Sequence, residues 1–279
     1  MLFRSIEPRL GEALGQKLVI DNRGGAGGDV GATIVARALP DGLTLLGGVS
    51  SITINPAFKK DLPYDLLRDL APVSLAAKAP NLLVSHPSLP AKNVAELIAW
   101  TRSQAKPPQF ASAGIGSMPH LMMELFLNLT QLKLGHIAYK GTAQASLDVL
   151  SGQVPLMMGN VLPTLPLINS GRLRAYGVTS ATRSAAAPEI PTLAESGVAG
   201  YDAVQWFGLW APAGTPPATI ERLHRAMLQV LNDPALKKRF VDDGADVSPS
   251  ATPAAFTVFI RGEMAKWAKV IKDANIQME

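Results

Sequence analysis

Apolar runs of about five residues alternate along the chain with longer stretches in which apolar side chains recur every three or four positions. The short runs predict strands and the longer stretches predict helices, because side chains alternate across a strand and repeat about every 3.6 positions in a helix. Strands are predicted over residues 17–21, 43–46, 81–85, 109–112, 134–138, 154–158 and 173–179. Alternating strands and helices predict an α/β fold with mostly parallel sheets.

Polar signals mark the beginnings of several predicted helices. Asn93 and Glu96 have the spacing of a capping box, which predicts a helix that extends to about Ser103. Thr215-Pro216 and Thr252-Pro253 each place a hydroxyl directly before a proline, an arrangement typical of a helix start. Further helices are predicted over residues 30–39 and 143–150, and another is predicted to begin at residue 117.

The composition is that of a folded chain with more than one domain. Its 279 residues are 47% hydrophobic and 17% charged, which is apolar enough for a buried core. At about 100–200 residues per domain, this length predicts two domains. The absence of cysteine excludes disulfides, thiolate metal sites, iron–sulfur clusters and cysteine nucleophiles.

Charge and hydropathy argue against nucleic-acid binding and membrane insertion. The formal net charge is +4, and no basic run follows one face with interleaved aromatic residues, so no nucleic-acid partner is predicted. The longest apolar stretch, residues 154–168, is interrupted by prolines and is shorter than the about 18 residues that a span requires. Residues 1–7 lack the apolar region of a signal peptide, so none is predicted in this chain.

The glycine cluster at residues 24–31 invites comparison with a dinucleotide-binding loop. In that fingerprint, G-x-G-x-x-G lies between a strand and a helix, and an acidic residue follows about 20 positions later. Here the third glycine, Gly31, comes one position late, and Asp41 belongs to a Pro-Asp-Gly turn. The pattern therefore favours glycines that permit positive φ at a tight helix start over a nucleotide site.

Residues 112–120 form the segment most typical of a ligand site. Two glycines follow a predicted strand, and Ser117 precedes a predicted helix that it can cap. Free N–H groups in a first helical turn attract a carboxylate or phosphate, so the Gly116 and Ser117 N–H groups are expected to face such a group. An ordinary strand-to-helix turn with a serine cap has the same sequence. Tyr139 likewise fits either a ligand contact or a solvated strand end.

No catalytic, metal or cofactor residue is predicted. Ser117 lacks the G-x-S-x-G pattern of a nucleophile elbow, and His120 follows it on the same helix. His120 and Glu124 are spaced to share a metal, but the sequence offers no third ligand. Binding is therefore favoured over catalysis. The alternative is an α/β enzyme, a hydrolase or a nucleotide-dependent enzyme, that uses Ser117 or the Gly24–Gly28 loop.

Collinear motifs cover nearly the whole chain. They are Leu14–Gln16, Asn22–Gly28, Ala38–Gly42, Ile54–Pro56, Ala71–Val73, Ala113–Ser117 with His120, Tyr139–Gly141, Ser151–Gln153, Pro191–Glu195 and Ala211–Pro216. In this order they resemble the tripartite tricarboxylate transporter substrate-binding proteins, also called Bug receptors. The resemblance implies a monomeric periplasmic protein without a cofactor, which captures a small carboxylate and meets membrane transporter subunits, or a sensor, transiently.

The same resemblance implies an α/β, two-lobed periplasmic-binding-protein-like (type II) fold with hinge crossings and an inter-lobe ligand cleft. Lobe 1 is expected to hold residues 1–106 and 211–279, and lobe 2 residues 107–210, with hinges near Pro107–Phe110 and Trp206–Ala211. Family members begin with a signal peptide, a strand and a glycine-rich loop, and Met1 falls about where their first helix begins. The first strand of lobe 1 is therefore expected to be missing, which leaves a truncated, non-binding remnant as a second alternative.

Members of this family hold a ligand carboxylate with backbone N–H groups and water from two loops, one in each lobe. In lobe 2 the resemblance implies Ser112, Ala113, Gly114, Gly116, Ser117, His120, Tyr139 and Asn160 as ligand-binding residues. In lobe 1 it implies Ser50, Ser51 and Asn55.

Overall fold

The computed structural model describes residues 2–59 and 61–277. Its helices are α1 Leu2–Leu14, α2 Asp29–Ala36, α3 Ser51–Phe58, α4 Val94–Ser103, α5 Met118–Thr130, α6 Thr142–Leu150, α7 Val161–Asn169, α8 Pro217–Leu231, α9 Pro234–Asp242 and α10 Pro253–Asp273. Its strands are β1 Leu46–Val49, β2 Leu70–Ser85, β3 Gln109–Ser112, β4 Gly135–Ala138, β5 Leu156–Asn160, β6 Arg174–Val178, β7 Val204–Pro212 and β8 Asp246–Val247.

The chain forms two compact units. Unit 1 runs to Lys78 and resumes over Trp206–Ala268, and unit 2 consists of Ala79–Gln205 with the chain from Lys269. The division places residues 79–106 with unit 2, whereas the expected lobe boundary lies at 106/107. The difference arises because β2 is one continuous strand whose second half pairs with strands of unit 2.

Unit 1 packs helices around antiparallel strand pairs. β1 runs antiparallel to β7, with Leu46 opposite Trp210, and β8 runs antiparallel to the first half of β2. Helix α1 packs against α8. The core is rich in aromatic side chains, and the buried rings of Trp206 and Phe256 meet edge to face.

Unit 2 contains a five-stranded mixed sheet in the order β6-β2-β5-β3-β4. β3 is parallel to β4 and β5, whereas β2 is antiparallel to β5 and β6, so the prediction of mostly parallel sheets is wrong. β3 to β6 each follow a helix, but β2 enters the sheet directly from unit 1 and runs in the opposite direction. Helices α6 and α7 cover one face of this sheet. The buried side chains between them and the strands are Leu82, Val84, Ala111, Ala145, Val149, Met157, Val161 and Val178.

Most predicted elements are confirmed, but the strand over residues 17–21 is wrong, and the strand predicted over residues 43–46 shares only Leu46 with the observed β1. The segment at 17–21 has no regular secondary structure and pairs with none of the described strands, and Val19 is 81% exposed.

Two predicted helix starts are confirmed: the Asn93 side chain accepts from the Glu96 N–H at 2.8 Å, and that of Thr252 accepts from the Ala255 N–H at 3.0 Å. Helix α8 begins one residue later than predicted, since Pro216 is its N-cap and the Thr215 hydroxyl donates to the Pro212 carbonyl at 2.8 Å. Across residues 2–59 and 61–277, no helix is long and apolar enough to cross a bilayer.

Candidate functional site

The carboxyl ends of three parallel strands meet at one edge of the unit 2 sheet. β5, β3 and β4 lie side by side, and the chain leaves them at Asn160, Ser112 and Ala138. Ligands commonly bind beyond the carboxyl ends of parallel strands, because loops and helix N-termini converge there. We call this set of residues, Ser112–Ser117, Tyr139 and Asn160, the polar edge of unit 2. It brings together the candidates that were expected in lobe 2 apart from His120, which lies on α5.

The loop from Ser112 to Ser117 is folded tightly by its own hydrogen bonds. Gly114 and Gly116 have φ values of 126° and 72°, in the left-handed region that glycine tolerates best. The Ser117 hydroxyl donates to the Gly114 carbonyl at 2.7 Å and makes no capping bond to the helix, so the predicted serine cap is wrong. The hydroxyl therefore stabilises the loop and does not cap the helix.

The N–H groups expected to face a ligand are used within this loop. The Gly116 N–H donates to His120 Nδ1 at 3.1 Å, and the Ser117 N–H donates to the Gly114 carbonyl at 3.2 Å. The donors left at the start of α5 are the N–H groups of Met118 and His120, since the first turn of a helix has no helical acceptor and Pro119 has no N–H. The positive end of the helix dipole lies here, which favours an anion.

Two histidines stack beneath the loop. The His120 and His136 rings are nearly parallel, with centroids 3.8 Å apart, and the Phe110 ring continues the stack 4.8 Å from His136. His136 Nε2 lies 2.6 Å from the hydroxyl of the buried Ser112. Burial, together with the charge that His120 can carry, lowers the pKa of His136 to about 4. His136 is therefore uncharged near neutral pH.

Tyr139 and Asn160 occupy the two sides of the polar edge. The Tyr139 hydroxyl donates to Asp148 at 2.5 Å, and this hydrogen bond, with burial, raises the pKa of Tyr139 to about 12. The hydroxyl thus joins β4 to α6 and is not free for a ligand. Asn160 accepts a 3.4 Å hydrogen bond from Gln205 and lies opposite Asn81 on β2.

Asn81 is a polar-edge neighbour that sequence reasoning missed. Its N–H donates to the Thr179 hydroxyl at 2.8 Å, and its side-chain amide donates to the Met158 carbonyl at 3.3 Å. Its Oδ1 atom is buried and has no hydrogen-bond partner among the described residues, so it can accept from a bound water or ligand. An asparagine at the head of an apolar run was the available signal.

The candidates expected in lobe 1 form a separate cluster in unit 1. The Ser51 hydroxyl donates to the Gly27 carbonyl at 2.6 Å, and the Asn55 amide donates to Asp29 Oδ1 at 2.6 Å. Ser50 is buried, and its N–H donates to the Trp206 carbonyl at 3.0 Å. The side chains of Ser51 and Asn55 therefore hold the turn before α2.

Asp29 is the centre of the unit 1 cluster. Lys59 pairs with it at 2.5 Å, and the buried Tyr64 hydroxyl donates to it at 2.8 Å. Burial raises the pKa of Asp29, but the hydrogen bonds from Lys59, Asn55 and Tyr64 outweigh burial, and the pKa lies below its ordinary value. A carboxylate already occupies this helix start, so the residues do not fit a nucleotide phosphate.

The glycine-rich turn adopts the conformation expected for a tight helix start. Gly25, Gly27 and Gly28 all have positive φ, and α2 begins at Asp29. Among the described residues, no group of three or more His, Asp or Glu side chains could hold a metal ion. His120 Nε2 and Glu124 Oε1 are 3.5 Å apart and form a pair only.

Comparisons with known proteins agree with this architecture. A family model described as tripartite tricarboxylate transporter family receptor matches residues 2–276. Protein BugT of Bordetella pertussis is 35% identical over 281 residues, which cover 100% of this chain and 86% of that protein.

Two similar solved structures were determined with small acids. A Rhodopseudomonas palustris protein solved with adipate is 34% identical and has a TM-score of 0.80, with 99% of this chain and 93% of that chain covered. MatC from the same organism, solved with bound malate, is 29% identical and has a TM-score of 0.74, with 97% and 93% covered. These likenesses confirm the predicted α/β, two-lobed fold.

Proposed function

The chain belongs to the tripartite tricarboxylate transporter receptor family, and from this premise we propose that it captures a small organic acid at the polar edge of unit 2. The similar proteins solved with adipate and malate support a carboxylate as ligand, since both molecules are dicarboxylates. We further propose that the protein acts in the periplasm and delivers the acid to transporter subunits in the membrane.

The observation that carries this proposal is the combination of free donors and neutral polar side chains at the polar edge. The Met118 and His120 N–H groups lie at the N-terminus of α5, the positive end of the helix dipole. The adjoining loop is compact because Gly114 and Gly116 adopt positive φ. A carboxylate here would be held by dipoles and hydrogen bonds rather than by an ion pair.

In this proposal the predicted residues have different roles. Ser112, Ala113, Gly114, Gly116 and Ser117 shape the loop, and Asn160 faces the ligand from β5. Tyr139 supports the edge through Asp148, because its hydroxyl is already used. In unit 1, Ser51 and Asn55 keep the turn before α2 in place, and Ser50 donates its N–H to the Trp206 carbonyl.

A hydrolase is the second candidate, and one contact favours it. Ser112 Oγ and His136 Nε2 are 2.6 Å apart, the spacing of a nucleophile and its base. Ser112, however, is 1% exposed and its hydroxyl also bonds Gly114. A histidine with a pKa of about 4 is also a poor base near neutral pH. We therefore propose binding without catalysis.

Isothermal titration with acetate, malate, adipate and citrate tests the proposal. We expect one-to-one binding of at least one dicarboxylate, with the acid recovered unchanged by NMR after prolonged incubation. Binding of none of the four would contradict the proposed function, and conversion of the acid would favour the enzyme.

A matched pair of serine variants then tests the location. Ser117 and Ser151 both donate to the carbonyl three residues before them, but only Ser117 belongs to the polar edge. Ser117→Ala should weaken binding of the titrated acid by about tenfold, the value of one ordinary hydrogen bond, and Ser151→Ala should leave it unchanged. Equal effects of the two variants would place the ligand elsewhere.

A further inference from the structure

We propose that His120 and His136 are a pair of positioning residues that hold the polar-edge loop in its binding conformation, and that a proton on His120 releases it. This inference rests on the proposed function, since it concerns the same loop. The two imidazoles would act through the loop backbone, without contacting the ligand through their side chains.

The pair fastens both ends of the loop. His120 Nδ1 accepts the Gly116 N–H at 3.1 Å, at the end next to α5. His136 Nε2 meets the Ser112 hydroxyl at 2.6 Å, at the end next to β3. Because the two rings stack with centroids 3.8 Å apart and an interplanar angle of 13°, one stack fixes both ends relative to each other.

The hydrogen bond from Gly116 determines the proton position on His120. A ring nitrogen that accepts a hydrogen bond carries no proton, so Nδ1 is bare and the proton of the neutral ring lies on Nε2. Nε2 lies 3.5 Å from the carboxylate oxygen Glu124 Oε1. A second proton could enter only at Nδ1, where it would displace the Gly116 N–H.

The surroundings of His120 contain few other charges. Glu124 lies on the same helix, His136 comes from β4, and the ring that β3 contributes is Phe110, which does not titrate. β5 also packs against α5, and its five residues carry no titratable side chain.

The sign of the pH dependence follows from the bare nitrogen. The loop as described requires an unprotonated Nδ1, so affinity for an acid is expected to fall as pH decreases and His120 gains its second proton. A variant without an ionisable group at position 120 separates the effect of His120 from any other effect of pH on binding.

The experiment compares three variants with the intact protein. His120→Asn keeps an acceptor close to the Nδ1 position but cannot be protonated, whereas His120→Leu removes the acceptor. His86→Asn is the control, because His86 belongs to unit 2 but bonds Ser88 away from the loop. Dissociation constants for malate and adipate are measured between about pH 6 and about pH 8, and exchange of the Gly116 amide is followed by NMR without ligand.

We expect His120→Leu to weaken binding by about tenfold and to speed exchange of the Gly116 amide, and His120→Asn to restore both. The protein and His86→Asn should lose affinity as pH falls, and His120→Asn should lose less. A Gly116 amide equally protected in His120→Leu, or an unchanged pH profile in His120→Asn, would overturn the inference.

The two proposals can fail separately. If the protein binds neither malate nor adipate, the proposed function fails for these acids, and the amide exchange of ligand-free protein still decides whether His120 holds the loop. If His120→Leu does not fold, the exchange rate of Gly116 in His120→Asn and its response to pH decide the same point. Equal responses to pH in His120→Asn and the unaltered protein would then overturn it.

Discussion

A single buried carboxylate orders the glycine-rich turn of unit 1. Asp29 is 5% exposed and receives hydrogen bonds from Asn55, Lys59 and Tyr64. Removing one partner from a buried, charged network costs more than the net value of the pair, because the remaining groups lose their hydrogen bonds without regaining water. The stability of this turn therefore depends on the charge at residue 29.

We expect Asp29→Asn to lower the free energy of unfolding by about 2–3 kcal/mol near neutral pH. Because the folded pKa of Asp29 lies below its ordinary value of 3.8, the charge stabilises the protein above that pH and less as pH falls through the folded pKa. Urea unfolding at pH 7 and about pH 3 measures both the loss of stability and its dependence on pH. Asp21→Asn breaks only the exposed pair with Arg23 and should change the free energy of unfolding little. A loss equal to that of Asp29→Asn would contradict this account.

Gly116 supplies the second test at the level of one residue. Its φ of 72° strains any residue with a Cβ, so Gly116→Ala should cost about 1–2 kcal/mol of stability. Gly262 lies within α10 with open space around its Cβ position, and the same substitution there should stabilise by about 0.5–1 kcal/mol. Thermal unfolding of the two variants should therefore shift in opposite directions, and shifts of the same sign would refute the backbone argument.

Helix α10 is fastened to β7 by a buried carboxylate. Glu263 Oε2 accepts from the indole N–H groups of Trp206 and Trp267, each at 3.0 Å, and Oε1 pairs with Lys266 at 2.5 Å. Both indoles are fully buried, so a lost acceptor would leave two donors without partners.

Glu263→Ala should therefore lower the free energy of unfolding by about 3 kcal/mol, and Glu263→Gln by less, because an amide oxygen still accepts from the indoles. Denaturant unfolding followed by tryptophan fluorescence reports stability and the indole environment together. Lys269→Ala, on the same helix, is the control, since Lys269 forms only an exposed pair with Asp273. Similar losses in Glu263→Ala and Lys269→Ala would exclude a special role for the carboxylate.

Local signals in the sequence predicted elements well where one segment determines them. Asn93 with Glu96 and Thr252 with Pro253 begin helices as expected, because a cap bonds residues only a few positions away. The segment at 17–21 has strand-forming residues but no partner strand in the described chain, and strand pairing is a long-range property. The direction of β2 was unpredictable for the same reason.

The polar edge was partly predictable. Two glycines and a serine after a strand marked the loop, and the family resemblance added Asn160. His136, which holds the loop through Ser112, was missed, since the two residues are 24 positions apart in sequence and meet only through strand pairing. Likewise, nothing near Asn55 indicated that its amide would bond Asp29 instead of remaining free.

At the scale of the whole molecule, ligand binding should raise thermal stability. A ligand that binds only the folded protein adds about 2.7 kcal/mol at 100 times its dissociation constant. Differential scanning fluorimetry with rising malate or adipate should therefore show a melting temperature that increases with the logarithm of concentration. Acetate serves as the control for ionic strength, and an equal shift with acetate would argue against specific binding.

The division into units also bears on the order in which the protein can fold as it is synthesised. Residues 79–205, nearly all of unit 2, form one uninterrupted stretch, so its sheet can assemble once β6 has left the ribosome. Unit 1 needs β7, α8, α9 and most of α10, which are made last. The N-terminal part of unit 1 therefore keeps its apolar faces exposed until those elements have been synthesised. Among nascent chains, it is this waiting segment that should engage chaperones.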